Sequence, residues 1–153
     1  MRVKPSRVRK YFIMKPEYWS KVSQFNEMYR LPRSLVPEAP SDESLLNFKK
    51  ILLEEVDEVD EILAVTDPLE RMVALCDWLG DLIVYASTKG DMHGLPMQAI
   101  LIAIMDSNFS KLGADGKPIY NPDTGKVLKG PNFWGPEIRI REILLERLID
   151  ART

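Results

Sequence analysis

The stretch from Pro68 to Thr88 constrains the fold more than any other part of the chain, because as a helix it is apolar almost all the way round. Met72, Val73, Leu75, Trp78, Leu79, Leu82, Ile83, Val84 and Tyr85 leave hardly any polar face. A helix of that kind is expected at the centre of a bundle. Its acids, Asp77 and Asp81, are one turn apart and have nowhere polar to hide. Unpaired carboxylates on such a surface cost several kcal/mol, on the order of the penalty for any buried lone charge.

A second acidic group lies on the preceding helical stretch, in KKILLEEVDEVDEIL. With Glu55 at zero on a helical wheel, Glu58 falls at about −60° and Glu54 at about −100°. The apolar stripe of Phe48, Leu52, Val56, Val59 and Leu63 covers about +20° to +100°. Glu55 therefore lies on the core edge with Glu58 close by, Asp57 and Asp60 point to solvent, and Glu61 is at about −120°. Taken alone, this helix reads as an amphipathic rod with a solvated charged flank. Together with Asp77 and Asp81 it does not. Nearby cations are few: Arg71 on one helix, with Lys49 and Lys50 preceding the glutamates. Salt bridges can absorb one or two of these acids, and a hard divalent cation with oxygen ligands accounts for the rest.

The remaining punctuation gives an all-α bundle of about five helices in one domain spanning 1–153. One helix runs from about Glu17 to Arg30, with Trp19, Val22, Phe25, Met28 and Tyr29 as its apolar side. Pro32, Pro37 and Pro40 make a connector, and Ser41 caps the next helix, which runs to about Val65. Asp67, Pro68 and Glu70 form a start signal for the third, which Lys89-Gly90-Asp91 is expected to end. A fourth follows Gly94-Leu95-Pro96 to about Leu112, and Pro136 opens the last. Between them, Asp115-Gly116 and Asn121-Pro122-Asp123-Thr124-Gly125 predict a small hairpin-like excursion near 113–135.

Single cysteine and histidine residues, Cys76 and His93, exclude a disulfide framework and a histidine-rich metal site and make a Ser-His-Asp triad improbable. Both are read as structural. A net charge of −2 argues against nucleic acid as a partner. Arg2, Lys4, Arg7, Arg9 and Lys10 suggest a solvated, flexible basic arm over 1–15. Neither a signal peptide nor a run of transmembrane length is present, so no membrane association and a cytoplasmic location are expected.

The EExxE run Glu54-Glu55-Val56-Asp57-Glu58, the later Gly80-Asp81, and Ser107-Asn108-Phe109-Ser110-Lys111 resemble the all-α nucleoside triphosphate pyrophosphohydrolases. Asp115-Gly116-Lys117 and Gly125-Lys126-Val127-Leu128-Lys129-Gly130-Pro131 are similar to a MazG-like, phosphoribosyl-ATP-pyrophosphohydrolase-like branch of them. The resemblance covers about Phe25 to Pro136. It implies Mg²⁺ or Mn²⁺, a homodimer or homotetramer, and cleavage of a nucleoside triphosphate to monophosphate and pyrophosphate. By motif match, Glu54, Glu55, Glu58 and Asp81 are metal ligands or the base that orients water. The chain departs from the family's usual ExxD at Trp78, which stands where the glutamate belongs. Asp77, one residue earlier, reaches the same face and is taken as a further ligand.

Among these, Glu55 is the candidate general base, because of its apolar-edge position. Lys111, Lys126 and Lys129 are candidates to hold phosphate oxygens, with Asn108 on sugar or phosphate and Tyr85 against the base. Two rivals stand beside this reading: hydrolysis of phosphoribosyl-ATP, and a non-catalytic helical interaction protein whose acids line a seam.

Overall fold

Proline, serine and aspartate caps cut the chain into rods much as the sequence suggests. The computed structural model describes residues 16–152, so the basic arm over 1–15 lies outside the described residues. Among them are six helices: α1 (Pro16–Met28), α2 (Asp42–Asp57), α3 (Val59–Ala64), α4 (Pro68–Met92), α5 (Met97–Phe109) and α6 (Pro136–Asp150). The helix expected from Ser41 to Val65 is thus two rods, α2 and α3, jointed at Glu58. Taken as one jointed helix, they bring the bundle to the expected five. The protein is all-α. No helix among the described residues is long and apolar enough to cross a membrane.

The chain packs as two compact units. The first comprises 16–33 and Pro40–Met92, the second Ser34–Ala39 and 93–152. In the first unit α4 packs against α1, α2 and α3. Ser41 accepts from the Ser44 amide at 3.1 Å, and Asp67 accepts from the Leu69 and Glu70 amides at 3.0 Å. These are ordinary N-terminal caps. α4 runs through the expected stop at Lys89-Gly90-Asp91 to Met92, a turn past Thr88, because Asp91 is claimed from outside. Ser23 donates to it at 2.7 Å, Asn26 at 2.8 Å and Arg33 at 2.9 Å. Asn26, fully buried, also donates to the Thr88 carbonyl, and Tyr18 donates to Ser87 at 2.9 Å.

The seam between α1 and α4 is therefore largely polar, and that corrects the expected apolar side of α1. Val22 is buried, whereas Phe25, Met28 and Tyr29 are exposed. α4 likewise is not enclosed by its own chain. Met72 is 56% exposed, Val73 54% and Ile83 52%. Its neighbours cover one side, and the all-round apolar surface expected to sit at a bundle centre remains open on the other.

In the second unit α5 packs on α6 around Ile100, Ala103 and Ile143. The hairpin-like excursion is present in minimal form, as one antiparallel bridge between Tyr120 and Val127. Asn121 Oδ1 accepts from the Asp123 and Thr124 amides at 2.9 Å, and Gly125 completes the turn with φ 67°. The excursion returns to α5 at Gly130, where a Cβ would run into the Leu112 carbonyl. Two serines near the end of α5 fasten the start of the segment leading into α6. Ser107 donates to the Trp134 carbonyl at 2.8 Å, and Ser110 accepts from the Trp134 amide at 3.2 Å.

Candidate functional site

The joint at Glu58 is made by α4. The Trp78 indole N–H donates to the Glu55 carbonyl at 2.6 Å. In a continuous helix that carbonyl serves the amide four residues on. An inserted donor is a standard cause of a break in the ladder. Trp78 therefore ties α2 to α4 at the level of the acids.

Glu58, at this joint, feels the acids around it. Glu58 is held above the usual carboxylate range by the charge of Glu55 first, then by burial, and then by Glu61, Asp81 and Asp77. Like charges gathered on neighbouring rods have this effect. Tyr85, one turn after Asp81, is pushed up by its hydrogen bond to Glu55 and by that carboxylate's charge, then by burial, Asp81 and Glu58. Glu55 itself is 7% exposed, and its Oε2 is buried with no hydrogen-bond partner. Among the described residues no lysine or arginine pairs with Glu55, Glu58, Asp77 or Asp81.

Of the acids singled out in the sequence, Glu55, Glu58, Asp77 and Asp81 share this field. Glu54 does not, because it turns to Lys50 at 3.8 Å on the exposed side of α2. Glu61, which the helical wheel leaves at the edge, does join it. Glu61 is three residues after Glu58, a spacing that puts the two carboxylates side by side on a helix. Among the described residues no three acidic, histidine or cysteine side chains close into a ligand set. The donors nonetheless suit a hard divalent cation. They are oxygens only, one is buried and orphaned, and their charge is uncompensated by protein.

Beside Asp81 opens a cavity of about 710 Å³. Phe25, Phe48, Ile51, Val84 and Tyr85 give it apolar walls, and Ser44, Asn47 and Lys89 bring polar groups. Planar walls and a few convergent polar atoms are typical of a small-molecule site. Sequence reasoning identified Tyr85 and missed Asn47 and Lys89. Their signal was their spacing: Asn47 is two turns before Glu55 on one helix, and Lys89 two turns after Asp81 on the other.

The other candidates belong to the second unit. Lys111 Nζ donates to Asn108 Oδ1 at 2.7 Å, Lys129 lies over the Phe133 ring at 4.4 Å, and Lys126 is exposed. Cys76 is exposed and free, and both ring nitrogens of His93 are buried without a hydrogen bond.

The fold is similar to a crystal structure from Exiguobacterium sp. 255-15 that carries the provisional name NTP pyrophosphohydrolase. The TM-score is 0.55 at 20% identity, over 90% of this chain and 99% of that one. At this level of identity the likeness is one of fold. No family model matches the sequence, and no curated protein matches it.

Proposed function

We propose that the chain is a metal-dependent hydrolase of nucleoside triphosphates, releasing the monophosphate and pyrophosphate. The observation that supports this most directly is the joint itself. There the charges of Glu55, Asp81 and Asp77 bear on Glu58 without a protein cation to offset them. The likeness in fold to a protein with a matching provisional name adds weight at the coarse level. In this reading those four side chains hold Mg²⁺ or Mn²⁺, with Glu61 at the margin and Glu54 outside. When bound, the ion neutralises phosphate oxygens and makes water a better nucleophile.

The chain's own residues supply the rest. Glu55, not fully committed to the ion, accepts the proton of a water through a carboxylate oxygen as the water oxygen attacks phosphorus. The anhydride bond between the α- and β-phosphates breaks, and pyrophosphate leaves with the bonding pair. Tyr85 orients Glu55 through its hydroxyl, and the apolar cavity walls keep bulk water from the sugar and base.

The test is pyrophosphate release from a panel of nucleoside triphosphates and phosphoribosyl-ATP, with Mg²⁺, with Mn²⁺ and with chelator. Cation-dependent turnover of a triphosphate is the expected outcome. Turnover confined to phosphoribosyl-ATP would replace the substrate. No turnover and no cation dependence would leave a helical interaction protein instead.

A further inference from the structure

The cavity that opens beside Asp81 carries a fixed cation at its other end. Lys89 lies eight residues beyond Asp81 on α4, about 12 Å along the helix axis. That backbone separation leaves room for a nucleotide laid along the cavity that both residues line. Lys89 Nζ donates to the Ser44 carbonyl at 3.1 Å and to the Ser44 hydroxyl, and it sits over the Phe48 ring at 5.6 Å. Ser44 is itself pinned through its amide by Ser41. The ammonium is thus held in place rather than waving in solvent.

An ammonium has three protons and no acceptor. Ser44 takes two, which leaves the third for a group in the cavity that Lys89 lines. Burial pushes the Lys89 pKa down, so its charge gains from a new acceptor. Phosphate is not the natural occupant at this end, because the Glu43 carboxylate also lines the cavity there and disfavours a second anion, while Phe25 and Phe48 offer aromatic faces among the polar Ser41, Asn47 and Thr88. A flat heterocycle is, and Asn47 adds an amide that can accept or donate.

We infer that Lys89 selects the base. It donates to a ring carbonyl while Asn47 accepts the adjacent ring N–H, which is the lactam edge shared by uracil, thymine and guanine. Cytosine and adenine present an amino group where the carbonyl should be, and a donor then meets a donor. A site built around such a hydrogen bond discriminates strongly against the wrong edge. The inference rests on the hydrolase reading above only for the placement of the phosphates at Asp81.

Calorimetric titration of the full chain with UMP, GMP, CMP and AMP, in Mg²⁺, tests it. UMP or GMP is expected to bind at least ~10-fold tighter than CMP and AMP. Comparison of the UMP and GMP arms tells pyrimidine from purine. Lys89→Met should bring the four together, and so should Lys89→Gln, whose amide both donates and accepts, with circular dichroism confirming the fold. Equal binding of all four by the wild type, no binding of any, or a preference that survives both variants would overturn it. A base preference without pyrophosphate release from any triphosphate would sink the hydrolase reading alone. Release without a base preference would sink the Lys89 assignment alone.

Discussion

Trp78 stands between Asp77 and Asp81 on α4, among the acids but with a task of its own. Its indole holds the Glu55 carbonyl and sets the joint between α2 and α3. Trp78→Phe keeps an aromatic ring and removes the donor, so it should cost about 1 kcal/mol in urea denaturation, the usual worth of one such bond. Glu55→Gln removes the proton acceptor of the proposed mechanism while keeping the shape. Turnover should fall about 100-fold or more with an unchanged circular dichroism spectrum. The acids were legible in the sequence because they sit at helical spacing on an apolar edge. Glu61 is less plain, because it is far from Glu55 on the wheel and meets the group only through Glu58, three residues before it. Lys89 and Asn47 were hidden for another reason. Each looks like an ordinary surface polar residue until α2 and α4 pack and open the cavity that both line.

At the level of elements, the polar seam between α1 and α4 makes the first unit sensitive to acid. Burial tends to raise the Asp91 carboxyl, but hydrogen bonds from Ser23, Asn26 and Arg33, with the Arg33 charge, outweigh it and hold the group below its ordinary 3.8. A carboxylate with a depressed folded pKa contributes stability that is complete above its unfolded value. That contribution is lost as pH falls through the folded one. Thermal unfolding followed from pH 7 to pH 2 should show this loss below about pH 4. Asp91→Asn should flatten that part of the curve, and an unchanged acid limb in the variant would argue against the seam as its source. The caps at Ser41 and Asp67 were plain in the sequence. The extra turn of α4 was not, since Gly90 reads as a terminator and the residues that prevent termination lie on α1 and in the connector after it.

At the scale of the whole molecule, exposed apolar surface is the dominant fact. Leu46 is 64% exposed, and Met72, Val73 and Ile83 on α4 are more than half exposed. Surfaces of this kind on a well-folded chain mark association. Sedimentation equilibrium is expected to give a dimer or tetramer, and a strict monomer at micromolar concentration would refute that expectation. The sequence announced this surface through the all-round apolarity of one helix, yet it could not say which side stays uncovered, because that depends on where α1, α2 and α3 settle. If copies of the chain shield that side for one another, dilution becomes a stress in its own right. Melting temperature should then drop as protein is thinned out, and the subunits that come apart would clump rather than persist singly.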